Sequence, residues 1–426
     1  MIKSVDVYLW GTHIGTLFQD SEDVSASFEY DSQFINSGIE VSPFKMPLSN
    51  RIYTFKELSR IESFHGLPGL LADSLPDRFG NAVIDSWLNS KGYSIDNFSA
   101  LDRLCYTGKR GMGALEFVPS SGPESMNDEI NVSEMVSFAS DIIRNRDKKA
   151  YSEKNVTKAQ LIEIGSSAGG ARAKAVIAWN SETGSVRSGQ IEAGSGYDYW
   201  IIKFDGIDGN GDHGEEDKKQ YTLIEYAYYL MAIDLGIEMS ECKILEKDGL
   251  SHFMTKRFDR QNGDKIHMQT LSALGHYDYN TPGECSYEAY AQYARKLSIG
   301  ATGIEQIFKR MVFSDLAKNY DDHVKNFAFL MNRQGVWSIA PAYDLCFAYV
   351  PGNRWISKHQ MTINGKSIDI SENDLIQCGT NMGMNVRKCK SIIEETRKVV
   401  SNWMDYAEKA HITEKRAKEI YKYLEM

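Results

Sequence analysis

The sequence predicts an α+β fold in three parts: a strand-rich opening, a mixed central section and a helical C-terminal block. Three observations carry this. Short strand patterns joined by a glycine turn fill the chain up to Tyr30. Between Ala175 and Arg260, strand patterns flank a single helix with an apolar face. From Ser286 onward, apolar residues recur mostly at helical spacing.

A chain of 426 residues accommodates two or three domains with cores of their own. Its apolar fraction of 42% is that of a globular protein. The net charge of −10 argues against diffuse nucleic-acid binding. The basic clusters Arg387–Lys388, Arg397–Lys398 and Lys415–Arg416 interleave with Glu394, Glu395 and Glu414, and read as solvated helix faces. Six scattered cysteines without a C-x-x-C pair argue against structural zinc and against a disulfide framework. Reduced thiols in a cytoplasm are the expectation. The start, Met1–Trp10, reads as a strand rather than a signal peptide, and no run of about 18 apolar residues offers a membrane span.

In order along the chain, Val5–Trp10 and Thr16–Phe18 form a hairpin around Gly11–Gly15, and Ser25–Tyr30 adds a third strand. Gly66–Gly69 is a turn, and Val83, Ile84, Trp87 and Leu88 give the helix after it an apolar face. Gly108, Gly111 and Gly113 precede a strand and read as a tight turn. The Pro-, Ser- and Gly-rich segment 118–130 is a domain boundary, followed by an amphipathic helix from Ser133 to Arg146.

Ile164–Lys174 is a small-residue loop leading into the strand Ala175–Trp179. It is not a Walker A loop, since neither the G-x-x-x-x-G-K-[ST] pattern nor a following helix is present. Its small residues would let backbone N–H groups approach phosphate oxygens, as would those of an ordinary hairpin turn. Tyr197–Phe204 is a strand carrying Lys203, and Thr222–Ile237 is a helix carrying Glu225. A strand Lys after such a loop, with a helix Glu beyond it, is how protein kinases grip nucleotide phosphates; a snorkelling Lys and a Glu at a helix N-terminus are the plainer alternatives. The acidic loop from Asp205 fails the calcium-loop pattern, because His213 and Lys219 stand where Gly and Glu are needed. Two strands, Cys242–Leu245 and His252–Arg260, enclose the turn Lys247–Gly249, and the chain is expected to turn helical after Arg260. Helices are expected at Tyr287–Lys296, Ile304–Tyr320, Val386–His411 and Thr413–Leu424, with a hairpin at Phe327–Met331 and Val336–Ile339.

The helical block is interrupted by Asn319–Leu330. There Asp321 and Asn326 stand at the interval of the kinase catalytic loop, in which an Asp is followed five residues later by a metal-binding Asn. Asp344 follows as a second acid after a short apolar run. Phosphoryl transfer needs positioned charge more than covalent help, and these parts stand in the order that it requires. Asp321 would orient the acceptor hydroxyl, Asn326 and Asp344 would carry Mg2+, and Lys203 would contact phosphate. Lys325 would stabilise the transferring group or be plain surface. His323 would buttress the loop. Asp322 is expected to do no more than cap a turn.

These motifs resemble the HipA family of bacterial Ser/Thr protein kinases, the toxins of type II toxin–antitoxin pairs. The similarity rests on Phe64–Gly80, Ile201–Phe204, Lys256–Arg260, Asp321–Phe327 and Pro341–Asp344, and covers nearly the whole chain. The stretches around His267–Leu271 and Ser286–Tyr287 resemble a subgroup distant from the best-known toxin. The resemblance implies a two-lobed protein-kinase-like fold: a β-rich N-terminal domain at 1–122, an α/β small lobe at 131–260 and a helical large lobe at 261–426. It implies ATP and Mg2+, with Asp321 as the catalytic acid, Asn326 and Asp344 as metal ligands and Lys203 holding phosphate. Ser167, Ala168, Gly169, Gly170, Lys174 and His323 would join the nucleotide site, and Lys256 and Phe258 would meet adenine through their backbone. Ser167, with Ser166 as neighbour, would be autophosphorylated. The family loop carries Gln-Glu where this chain has Arg172–Ala173. The implied partners are a protein substrate, in the family often an aminoacyl-tRNA synthetase, and a HipB-like DNA-binding antitoxin, with DNA reached only through it. A corepressor acting mainly by binding, and a small-molecule kinase, are the alternative functions.

Overall fold

The computed structural model describes residues 2–20, 24–122, 128–145, 172–207, 220–261 and 263–424. Ser166, Ser167, Ala168, Gly169 and Gly170, and the acidic loop from Asp208, lie outside the described residues. The described residues form two compact units. One takes in those of Met1–Lys219, Lys243–Gln269 and Met331–Gly335. The other takes in Gln220–Cys242, Thr270–Leu330 and those of Val336–Met426.

The first unit holds two five-stranded sheets. The opening strands β1 (Ser4–Leu9), β2 (Thr12–Phe18), β3 (Ser27–Tyr30) and β4 (Tyr53–Thr54), with β5 (Leu115–Val118), assemble in the order β4-β3-β2-β1-β5. The sequence places the first turn at Gly11–Gly15, but the structure confines it to Trp10 and Gly11, at φ 52° and 80°. A two-residue hairpin loop of type I′ needs positive φ at both positions, which matches the strand twist. Gly11 adopts it at no cost, and Trp10 is anchored by its indole N–H, which donates to the Lys265 carbonyl at 2.8 Å.

The second sheet joins β6 (Lys174–Trp179), β7 (Val186–Ser188), β8 (Asp198–Lys203), β9 (Cys242–Lys247) and β10 (Leu250–Lys256) in the order β7-β6-β8-β10-β9. Helix Arg78–Ser90 and helix Val132–Asn145 share one core with it, in which Phe79, Val83, Ile84, Leu88 and Ile142 meet Ile177, Trp200, Ile202 and Met254. The helical spacing of apolar residues at 79, 83, 84 and 88 puts them on one stripe, and that stripe is the buried one.

Beyond Lys256 the chain does not turn helical at once. Arg260–Gln261 pairs with Asp264–Lys265, and a strand at His267–Thr270 precedes the helix Leu271–Gly275. Gly263, at φ 84°, makes the reversal possible.

The second unit is mainly helical. Helix Ala301–Leu316 runs through it, with Ile304, Ile307, Phe308, Met311, Val312 and Phe313 all buried. Helices Tyr287–Lys296 and Val386–Ser401 pack against it. The expected helix Val386–His411 breaks at Asn402 into Val386–Ser401 and Trp403–Lys409. The break sinks Trp403 into the core, where its N–H donates to the Ala417 carbonyl at 2.9 Å. A helix at Glu372–Asn381 was not expected. Its start is fixed by a capping box between Ser371 and Asp374.

Candidate active site

Helix Ala301–Leu316 delivers the chain to the suspect loop. Lys318, at φ 56°, ends the helix in the left-handed conformation and turns the backbone into Asn319. Asn319 holds two segments: its amide N–H donates to Ser314 at 3.1 Å, and its oxygen accepts from the Cys346 N–H at 3.3 Å. The Ala348 N–H donates to the Lys318 carbonyl at 3.0 Å, and the Tyr320 N–H to the Ala348 carbonyl at 3.1 Å. The segment ending in Asp321 therefore lies beside the segment that follows Asp344.

The loop then closes on itself. The Asn326 N–H donates to the His323 carbonyl at 2.9 Å, making the single turn Val324–Asn326. The Asn326 side-chain N–H donates to the Asp321 carbonyl at 2.9 Å. That bond uses one of the two amide N–H donors and leaves the amide oxygen as an acceptor. On the other side, the Tyr343 hydroxyl donates to the Lys325 carbonyl at 2.7 Å. The two segments carrying Asp321, Asn326 and Asp344 are thus stitched at both ends, at 319/348 and at 325/343. Asp344 itself sits at φ 57°, a conformation in which Asp is one of the few tolerated side chains.

Asp321 is about a quarter exposed, at 23%, and its Oδ1 lies 3.9 Å from Nε2 of His323. Lys325 holds its Nζ 5.1 Å from the centre of the Tyr279 ring, which lies 5.8 Å from the ring of His323. An acid, an imidazole and an ammonium ion are therefore grouped on one accessible loop beside an aromatic face.

Asp322 points the other way. It does not cap a turn; its side chain is fully buried. Its Oδ2 accepts from the Tyr287 hydroxyl at 2.8 Å and meets Nδ1 of His359 at 2.7 Å, and its Oδ1 accepts from the Gln360 N–H at 2.7 Å. Nε2 of His359 lies 3.3 Å from Oδ1 of Asp315, on helix Ala301–Leu316. Burial disfavours a charged imidazole here, but Asp322 and Asp315 outweigh it and push the His359 pKa up to about 9. His359 carries no motif signal, since its partners stand 37 and 44 residues away in sequence.

In the first unit, Lys203 and Lys174 are direct register partners on β8 and β6. Lys203 is half-buried, with its Nζ 5.9 Å from the centre of the Phe253 ring. Lys174 is buried, with its Nζ 3.7 Å from Oδ2 of Asp77, whose other oxygen caps helix Arg78–Ser90 by accepting from the Gly80 N–H at 2.6 Å. Glu225 is buried on helix Tyr221–Asp234, in the second unit. Lys256 ends β10 and pairs with Asp198 at 2.8 Å, while Phe258 is half-buried.

Around Phe258 the backbone is pinned. Asp259 is fully buried and takes two bonds from Arg257, at 2.9 and 2.7 Å, and one from Arg260 at 2.8 Å. It also accepts from the Gly113 N–H at 2.7 Å, and Arg260 donates to the carbonyls of Gly111 and Gly113. Burial alone would raise the Asp259 pKa, but Arg257 and Arg260 hold it far below the usual carboxylate range. The glycine turn predicted at 108–113 is therefore the socket for Lys256–Arg260. Gly113 has φ 73°, and a Cβ there would come within 3.1 Å of the Met268 nitrogen.

Comparison with known proteins gives a consistent picture. Residues 5–118 match the family described as the HipA N-terminal domain, and residues 166–403 match the HipA-like C-terminal domain. Two bacterial proteins named "Putative kinase" are similar in sequence. One, Y4dM of Sinorhizobium fredii, is 23% identical over 34% of this chain and 36% of its own length. The other, from Haemophilus influenzae, is 24% identical over 47% of this chain and 70% of its own. The chain thus spans about a third of the length of the first relative. A solved complex of Shewanella oneidensis HipA, HipB and operator DNA contains a chain of similar fold, with a TM-score of 0.68 at 17% identity over 99% of this chain and 95% of that one.

Proposed function

The chain belongs to the HipA family, and from that premise we propose that it is an ATP-dependent kinase that transfers the γ-phosphate to a serine or threonine hydroxyl of a protein. The observation that carries the reading is the closed loop in which the Asn326 amide bonds the Asp321 carbonyl, with Asp344 stitched alongside through Tyr343. The names of the two sequence relatives support kinase chemistry.

In this reading Asp321 accepts the proton of the acceptor hydroxyl. Asn326 and Asp344 present oxygen donors suited to a hard divalent cation. Among the described residues no group of three or more His, Cys, Asp or Glu is placed to hold a metal ion. Mg2+ is usually held by one or two protein carboxylates, waters and the phosphates of its nucleotide. When bound, the ion neutralises charge on those phosphates. Lys325 supplies a positive charge beside Asp321, and His323 steadies the carboxylate. Lys203 is the phosphate contact. Lys174 supports the strand edge through Asp77 and would reach phosphate only by leaving it. The backbone at Lys256 and Phe258, fixed by the Asp259 cluster, meets the adenine. Ser167, or its neighbour Ser166, is the site of autophosphorylation. Incubation with labelled ATP and a cell lysate tests transfer, with Asp321→Asn as the control. Label on neither the protein nor any lysate component would overturn the reading.

The likeness to the HipA–HipB–DNA structure favours a second role, as partner of a HipB-like DNA-binding antitoxin, with DNA reached through that partner. Complex formation that survives Asp321→Asn and Asp344→Asn would separate this role from catalysis. An aminoacyl-tRNA synthetase is the first candidate to test as substrate. The family reading points to the cytoplasm as its compartment. No helix among the described residues is long and apolar enough to cross a membrane.

A further inference from the structure

Both ring nitrogens of His359 face carboxylate oxygens: Nδ1 meets Asp322 at 2.7 Å and Nε2 meets Asp315 at 3.3 Å. Carboxylates facing both nitrogens favour the doubly protonated ring, an imidazolium, over either neutral tautomer. Its side chain and that of Asp322 are fully buried, and Asp315 is nearly so at 8%. The Tyr320 ring covers the imidazole at a centroid distance of 4.2 Å, and the His359 backbone N–H donates to the Ser367 carbonyl at 2.9 Å. Asp322 thus receives three donors, from Tyr287, His359 and Gln360, while the peptide before it carries Asp321.

We propose that His359 is a positioning residue for Asp321: it clamps Asp322 to Asp315 of helix Ala301–Leu316, and so fixes how the neighbouring acid is presented to the acceptor hydroxyl. This rests on the kinase reading of the loop. The clamp holds the inner side of the Asp321–Asp322 peptide, and the Asn326 amide holds its outer carbonyl. With both in place, Asp321 has little freedom left except at its own side chain. Charge-assisted bonds of this kind are stronger than neutral ones, and both partners here are shielded from water. A small displacement of a catalytic group costs rate without costing substrate affinity.

The test compares wild type, His359→Gln and Tyr287→Phe, each first shown to be folded by its unfolding transition. For His359→Gln, kcat is expected to fall about tenfold to a hundredfold, with KM for ATP changed less than about threefold. Backbone amide exchange should rise in 321–327 and stay unchanged in helix Val386–Ser401. Tyr287→Phe removes one donor to Asp322 and leaves the packing, so a fall in kcat of about threefold to tenfold is expected. Folded His359→Gln with unchanged kcat and unchanged exchange at 321–327 would overturn the proposal. If His359→Gln does not fold, unchanged kcat in Tyr287→Phe would do so. If wild type transfers no phosphate, the kinase reading fails by itself. The exchange comparison then decides the clamp: faster exchange at 321–327 in His359→Gln or Tyr287→Phe upholds it, and unchanged exchange removes it.

Discussion

Nδ1 of His359 stands 2.7 Å from Oδ2 of Asp322, and neither side chain is exposed to solvent. The pair joins the residue after the candidate catalytic acid to a segment 37 positions later.

This pair makes stability depend on alkaline pH. The imidazole pKa of about 9 lies above its ordinary value of 6.5, because Asp322 and Asp315 outweigh burial. A raised pKa means that the native state binds the proton more tightly than the unfolded chain. The stabilisation is full below pH 6.5 and is lost as pH rises to about 9. It is expected to be on the order of 3 kcal/mol. Denaturant unfolding of wild type and His359→Gln at pH 6 and pH 9.5 checks this: the difference between them should shrink at the higher pH.

The Asp259 cluster is expected to be a stability element. Asp259→Ala would leave Arg257 and Arg260 buried without their counter-ion. Losing one partner of a buried ion pair costs about 3–5 kcal/mol. Thermal or denaturant unfolding should show a loss of that size, while Arg51→Ala, at an exposed surface position, should change stability by less than about 0.5 kcal/mol.

Lys174 and Lys203 are neighbours in register with different surroundings. Lys174→Met should mainly destabilise, since it removes the ammonium that faces Asp77 Oδ2, and Asp77→Asn in the same chain should recover part of that loss. Lys203→Met should leave the unfolding transition nearly in place and raise KM for ATP about tenfold or more. Steady-state kinetics and unfolding curves on the three variants separate the two lysines.

Much of the fold was legible because its signals are local. The stripe of Val83, Ile84 and Leu88, the two strands of the opening hairpin and the Tyr287–Lys296 helix each declare themselves within a few residues. The HipA motifs added the family. What stayed hidden depends on distant partners. Asp322 looked like a spare acid beside Asp321, because nothing near it in sequence names Tyr287, His359 or Gln360 as its donors. Asp259 read only as a residue of the strand His252–Arg260, although its socket lies 146 residues earlier, at Gly113. Capping boxes were local signals missed: Ser371 and Asp374 spell one before helix Glu372–Asn381, and Ser99 and Asp102 spell another before helix Ala100–Thr107.

In the proposed mechanism, Asp321 directs phosphoryl transfer. Mass spectrometry of the protein incubated with Mg-ATP, wild type beside Asp321→Asn, tests it most directly. Phosphate is expected on Ser167 or Ser166 in wild type, with transfer at least about a thousandfold slower in Asp321→Asn. Equal phosphorylation of the two proteins, or none in wild type, would contradict it.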